Sequence, residues 1–309
     1  MPEMVQYIGK RFRVAYRVEK ICDTISGAYG SRRMHNTVFL EQLRCAGSAH
    51  GGCQAECRLY WKEAWLTKVS DGSKGASPNT EGMQALEQLI HSNVYQRKAE
   101  SAHADVFRCQ ATEALRATAP LSQWEPGQYL RELASRNVSL GGFVYVAMQA
   151  LARKCSWILQ RIARRTTLQK TIPNPATRRG ASEKVGLQPG EWVEVKSAEE
   201  ITQTLDCNNR NKGLAFAANE MLPACGKRYR VRRRIDRIVD EATGRLLTIK
   251  NDCIALEGFV CMGDRSSGRY FCHREVYPYW REAWLRRVEE PAPNGSSSSA
   301  SPADQSPRN

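Results

Sequence analysis

Apolar and basic positions alternate along Arg11-Phe12-Arg13-Val14 and again along Arg228-Tyr229-Arg230-Val231. Such alternation marks half-buried strands, because successive side chains point to opposite faces. Asp240 to Gly244 carries turn residues and joins a strand over 228–239 to one over 246–250. Val38-Phe39-Leu40, Ile254-Ala255-Leu256 and Gly190 to Val195 supply further short strands. Ser197-Ala-Glu-Glu200 is a capping box opening a short helix. In the middle of the chain the period changes. Met83, Leu86, Ile90 and Val94 share one helical face after Thr80, and Pro126 suits the first turn of a helix over 127–136. Leu140, Val144, Ala147, Leu151, Cys155, Ile158 and Ile162 are spaced by threes and fours, which predicts an amphipathic helix over 139–165.

The strand pattern occurs twice. GKRFRVAYRVEKICD at 9–23 aligns without gaps to GKRYRVRRRIDRIVD at 226–240, with eight of 15 positions identical. YWKEAWLTKV at 60–69 matches YWREAWLRRV at 279–288, and Leu40, Glu41 and Cys45 match Leu256, Glu257 and Cys261. Two distant copies are a domain duplication, since a solenoid needs three or more in tandem. The expected fold class is α+β: two homologous small β-barrels of SH3-like type flanking a helical insert. The boundaries are 1–69 for the first barrel, 70–187 for the linker and helical region, 188–289 for the second barrel and 290–309 for a disordered tail. Ser70–Thr80 and Thr171–Lys184 read as linkers. The second copy has a lead-in, from Gly190 to Phe216, that the first copy lacks. Either the first barrel borrows a strand or its start lies upstream.

The repeat, with its CGKRYRV, HGGCQAEC and YWREAWL elements, resembles a bacterial family without assigned activity whose genes sit near glycosyltransferase and other biosynthetic genes. The resemblance spans most of the chain except the tail. It implies a cytoplasmic accessory protein and no catalytic residue.

Eleven cysteines accompany a start that has neither an apolar leader core nor a cleavage site. They read as thiols or metal ligands rather than a disulfide framework. Cys45, His50, Cys53 and Cys57 form C-x4-H-x2-C-x3-C with glycines between them, a set that can wrap one tetrahedral Zn²⁺. Cys22 and His35 are substitute ligands. Cys253, Cys261, Cys272 and His273 make a second set, although Cys57 and Cys22 align with Val276 and Val239. The plain alternative for both sets is that the cysteines are small buried hydrophobes. An enzyme reading would use the Cys45/His50/Cys53/Cys57 cluster for metal or thiol chemistry. None of the G-x-S-x-G, H-E-x-x-H, P-loop or dinucleotide fingerprints is present. Glu63 and Glu282, equivalent in the two W-x-E-A-W-L segments, read as surface ion-pair partners.

The net charge is +14. It concentrates in residues 133–182, which hold nine basic residues and no Asp or Glu. Arg153, Lys154, Trp157, Arg161, Arg164 and Arg165 form the basic end of the amphipathic helix. That combination fits an anionic membrane surface or an acidic groove on a protein partner. Equally, the helix can pack between the barrels with its arginines solvated. Arg228, Arg230, Arg232 and Arg234 form a basic strand beside Tyr229, which fits anion or nucleic-acid binding; the alternative is a salt-bridged solvated face. No apolar run reaches 18 residues, so no transmembrane helix is expected. The expected function is a non-catalytic accessory or scaffold protein, cytoplasmic or peripheral at the inner membrane face. Its first barrel is zinc-stabilised, and it docks to a partner enzyme or an anionic membrane.

Overall fold

The structure is a computed structural model that describes residues 1–26, 30–69, 80–97, 105–166, 185–264 and 269–290. Most of both expected linkers and the tail from 291 lie outside them. The first unit comprises α1 (Pro2–Val5), β1 (Val14–Arg17), β2 (Lys20–Cys22), β3 (Ser31–Arg33), β4 (Thr37–Arg44) and β5 (Arg58–Lys62), followed by a 3-10 turn at Glu63–Trp65. The middle holds α2 (Thr80–Ser92), β6 (Tyr95–Arg97), β7 (Val106–Phe107), β8 (Ala119–Leu121), α3 (Gly127–Ala134) and α4 (Leu140–Thr166). The last unit runs through β9 (Trp192–Val195), α5 (Ala198–Thr202), β10 (Arg210–Asn211), β11 (Leu214–Ala215), α6 (Ala218–Met221), β12 (Arg228–Arg234), β13 (Arg237–Val239), β14 (Leu246–Thr248) and β15 (Ile254–Leu256). It also holds 3-10 turns at Leu222–Ala224 and Glu282–Trp284, and β16 (Leu285–Arg287) ends it.

The fold is mixed helix and sheet, but its sheets are small. The main ladders have the orders β1-β4-β5 and β15-β12-β9-β16. Among the described residues no sheet closes into a barrel, which corrects the expectation of closed barrels. The strands are short, bulges interrupt their registers, and the hairpins β2-β3 and β13-β14 leave the main ladders to form sheets of their own. β8 pairs with β3, so the middle region is stitched to the first unit.

The two copies nevertheless follow the same backbone path. Val14 pairs with Leu40, and its counterpart Val231 pairs with Leu256; a bulge follows at the same place in each. Val38 faces Trp61 as Ile254 faces Trp280. Positive φ recurs at the matched pairs Gly9/Gly226, Gln42/Gly258, Gly47/Gly263 and Glu56/Glu275. A left-handed φ disfavours most side chains, so its recurrence at non-glycine positions records shared geometry.

The copies meet through charged groups. Glu56 receives Arg232 at 2.5 Å and Arg233 at 2.8 Å, while its counterpart Glu275 receives Arg58 at 3.2 Å and Arg44 at 3.4 Å. Beside this joint Lys20 is buried. Its Nζ donates to Gln128 Oε1 at 3.0 Å and faces the Tyr129 and Phe271 rings at 4.8 and 5.4 Å. Burial lowers its pKa from 10.5 to about 8, against the pull of Glu132. The unfolded chain keeps this amine protonated up to about 10.5, so between these values the unfolded state binds the extra proton. Relative to Lys20→Met, the wild type is therefore expected to gain about 3 kcal/mol of stability as pH rises from about 8 to 10.5. Paired urea titrations across that range would measure it. A difference that stays flat would show that Lys20 is not held neutral.

Candidate metal centre

Glu3 sits in α1, where Pro2 starts the helix without wasting an amide. Cys45 follows the end of β4, and its amide donates to the Cys57 carbonyl at 2.8 Å. The chain then turns through Gly47, whose φ is +72° and whose added Cβ would lie 1.8 Å from the Cys53 carbonyl oxygen. Only glycine allows that approach. The turn brings His50 under α1. Glu3 Oε1 accepts the Ala49 amide at 3.2 Å and lies 2.9 Å from His50 Nδ1.

Ligand atoms of Glu3, Cys45 and His50 all lie within 4.8 Å of one another, so the three can hold a metal ion. Glu3 and His50 are buried, and Glu3 Oε2 and His50 Nε2 make no hydrogen bond. Buried polar atoms without partners are rare and call for an explanation. An ion accepting both would supply one. Beside the group is a cavity of about 30 Å³ lined by Cys45, His50, Cys53, Cys57 and Cys109, among others. That is room for one water or ion and no more.

The electrostatics suit a cation. Burial raises the Glu3 pKa, but the His50 hydrogen bond and the Ala49 amide outweigh it and keep the carboxyl below its usual range. Burial, with the Glu3 carboxylate next, pushes the Cys45 thiol up; burial also raises Cys109 and takes Cys57 to about 12. Desolvated thiols of this kind are poor nucleophiles.

The ligand set differs from the one expected. Cys45 and His50 belong to it. Cys53 and Cys57 line the adjoining cavity but fall outside the three-residue group, and Cys53 Sγ accepts the Val239 amide at 3.3 Å. Glu3 takes their place. It lies too far upstream of Cys45 for any spacing motif, yet the duplication carried a signal. Glu3 aligns with Glu220, and the Glu220 carboxylate hydrogen-bonds the Cys261 thiol just as Glu3 sits beside Cys45. The second copy has no histidine to complete that pair.

Cys253, Cys261, Cys272 and His273 do not form a group of this kind among the described residues. Cys253 packs with Ile235 and Ala255. Cys272 Sγ accepts the Cys22 amide at 3.1 Å, and His273 stacks on Tyr16 with its Nε2 3.0 Å from Glu132. Cys22 is thus committed to Cys272, and His35 is exposed.

The basic strand is paired with protein groups. Arg228 lies 3.7 Å from Glu194, Arg230 donates to the Gly190 carbonyl at 2.9 Å, Arg232 meets Glu56, and Arg234 meets Glu282. This is the salt-bridged face. On α4, Arg153 donates to the Asp264 carbonyl at 3.0 Å and Lys154 lies over Trp124 at 5.4 Å. The side chains of Trp157, Arg161, Arg164 and Arg165 lie outside the described part. The apolar stripe Leu140, Val144, Ala147 and Leu151 faces outward, while Phe143 and Val146 turn inward and Phe143 stacks on Phe271. Over this stretch the helix therefore does not pack between the two units by its stripe. Among the described residues no helix is long and apolar enough to cross a membrane. No protein family, curated protein or solved structure matches the chain.

Proposed function

We propose that the chain is a non-catalytic accessory protein whose first unit is pinned by Zn²⁺ and whose open apolar faces dock a partner. The carrying observation is the closure of the Glu3, Cys45 and His50 group: it lies under α1 beside a cavity with room for a single water. Structural zinc sites are closed, whereas catalytic ones keep a position open to substrate. A carboxylate, a thiolate and an imidazole are ordinary zinc ligands, and one cavity thiol or its water completes the four. The small core of the first unit gains from such a pin, because metal binding free energy becomes folding free energy. The outward stripe of α4 beside Arg153 and Lys154 is one such docking surface, suited to a partner enzyme or an anionic membrane.

The test is metal content. Reductively purified protein is expected to carry about one zinc per chain by plasma mass spectrometry. His50→Ala or Cys45→Ser should abolish it, while Cys253→Ser should keep it. Metal-free wild type with an unchanged melting curve would sink the proposal.

A further inference from the structure

The two copies differ most where the lead-in is missing. In the second copy β9 lies between β12 and β16. Val193 pairs with Tyr229 on one side and with Arg287 on the other. Val193 and Val195 point into one core with Val231, Leu256, Trp280, Trp284 and Leu285. The first copy has the same wall, residue for residue: Val14, Leu40, Trp61, Trp65 and Leu66. Among the described residues no strand takes the place of β9. Among the described residues no strand lies between Arg11–Arg13 and Leu66–Lys68, and neither stretch is a strand itself. Val14 is 56% exposed where Val231 is 0%, and Trp65 is 62% exposed where Trp284 is 0%. Between these edges runs a groove of about 1180 Å³, lined by all five wall residues and bounded on its far side by Leu86 and Ile90 of α2.

The groove selects its occupant. Its wall matches the one that holds Val-x-Val in the second copy. Its rim includes Lys10 and Lys68. In the second copy the equivalent of Lys68 is Arg287, which faces Glu191 at 3.1 Å. The chain's own β9 cannot serve, because its valines are fully buried at home. Nor do the stretches outside the described residues contain an alternating aliphatic and acidic run: 167–184 is basic and holds two prolines, 70–79, 98–104 and 291–309 have no aliphatic residue larger than alanine, and 27–29 and 265–268 are too short.

We infer that this groove binds an extended segment of a partner protein as an added strand. Aliphatic residues at alternate positions lie against Val14, Trp61 and Trp65, and acidic residues face the basic rim. Strand addition draws affinity from main-chain hydrogen bonds and specificity from alternate side-chain pockets. The inference deepens the docking part of the proposed function and is independent of the metal.

The probe is a fluorescent peptide with the sequence of residues 189–197, titrated into the full-length chain. Saturable binding is expected, weakened at least about tenfold by Val14→Asp and by aspartate at both peptide valines; a tenfold change is about 1.4 kcal/mol. Val14 is already exposed, so Val14→Asp should fold. Leu247→Asp, at an exposed position of β14 in the second copy, should leave binding unchanged. Hydrogen exchange should show bound peptide protecting residues 11–13 and 66–68. No saturation up to about 1 mM, or binding indifferent to Val14→Asp, overturns the inference. Concentration-dependent self-association that Val14→Asp abolishes would also overturn it, by making a second copy the occupant. Zinc content measured on the same samples separates failure here from failure of the metal proposal.

Discussion

Glu282→Ala is expected to lower unfolding stability by about 4 kcal/mol, as removal of one partner from a buried ionic network does. Glu282 is 1% exposed. Its Oε2 accepts the amides of Val185 and Gly186 at 2.8 and 2.9 Å, and its Oε1 accepts the Leu187 amide at 3.1 Å and an Arg234 guanidinium N–H. One carboxylate thus ties the start of the lead-in to β12 and to the 3-10 turn. Alanine leaves three amides without their acceptor and leaves the Arg234 guanidinium to the Leu187 carbonyl, without its counter-charge. Burial raises the pKa of this carboxyl, but Arg234 and the amides outweigh it and hold it below 4.5. The contribution is therefore present above about pH 4.5 and is lost as pH falls through the lower folded value. Glu63 is the control. It occupies the equivalent position, its side chain is 40% exposed, and among the described residues its carboxylate pairs with Arg17 alone, at 3.3 Å. Glu63→Ala should cost about 0.5 kcal/mol or less. Urea unfolding of both variants decides the matter, and equal losses would refute the assignment.

The contrast between these two glutamates shows what was legible in the sequence and what was not. Both belong to the same hexapeptide, so sequence alone assigns them one role, that of surface ion-pair partners. That role holds for Glu63. It fails for Glu282, because the lead-in covers the turn in the second copy only. The sequence repeat was readable as matched residues, and the structure adds that two of these matches pair alike, Val14 with Leu40 and Val231 with Leu256. The alternation that identified strands also carries their register. Closure was not readable. Alternation reports which face of a strand is buried but not whether the last strand reaches the first. Residues 1–69 show no counterpart of the lead-in, and among the described residues Val14 and Trp65 are exposed there. At the metal group, spacing found Cys45 and His50, since ligands on one loop leave a local pattern. It missed Glu3, which reaches the site from another element. On α4 the period was legible and the direction was left open, because a stripe of threes and fours does not distinguish a core face from an open one.

Arg274→Met is expected to cost about 3–5 kcal/mol, because it removes the buried cation that joins the two copies. Arg274 belongs to the second copy and is 4% exposed. Its Nη2 donates to Glu241 Oε1 at 2.6 Å, and its Nη1 donates to Thr24 Oγ1 at 2.8 Å and the Cys22 carbonyl at 3.4 Å, both in the first copy. The Thr24 hydroxyl in turn donates to Glu241, closing a ring across the joint. Methionine keeps the packing volume of the stem but strands Glu241, so the loss reports the ionic joint rather than a cavity. Glu241→Gln in the same background should then be less harmful than in the wild type. A double-mutant cycle is expected to give a coupling of about 1–3 kcal/mol. The same guanidinium, after the hydrogen bond to Cys272, helps hold the Cys22 thiol below its ordinary pKa. Unfolding should also lose cooperativity: with the joint cut, the two copies have less reason to melt together. Fluorescence and circular dichroism transitions that coincide in the wild type are expected to separate in Arg274→Met. Arg230→Met, whose guanidinium is exposed and among the described residues donates to the Gly190 carbonyl alone, should shift neither. An Arg274→Met protein that unfolds in one transition with wild-type stability would show that the copies are held together by the Glu56 and Glu275 clusters alone.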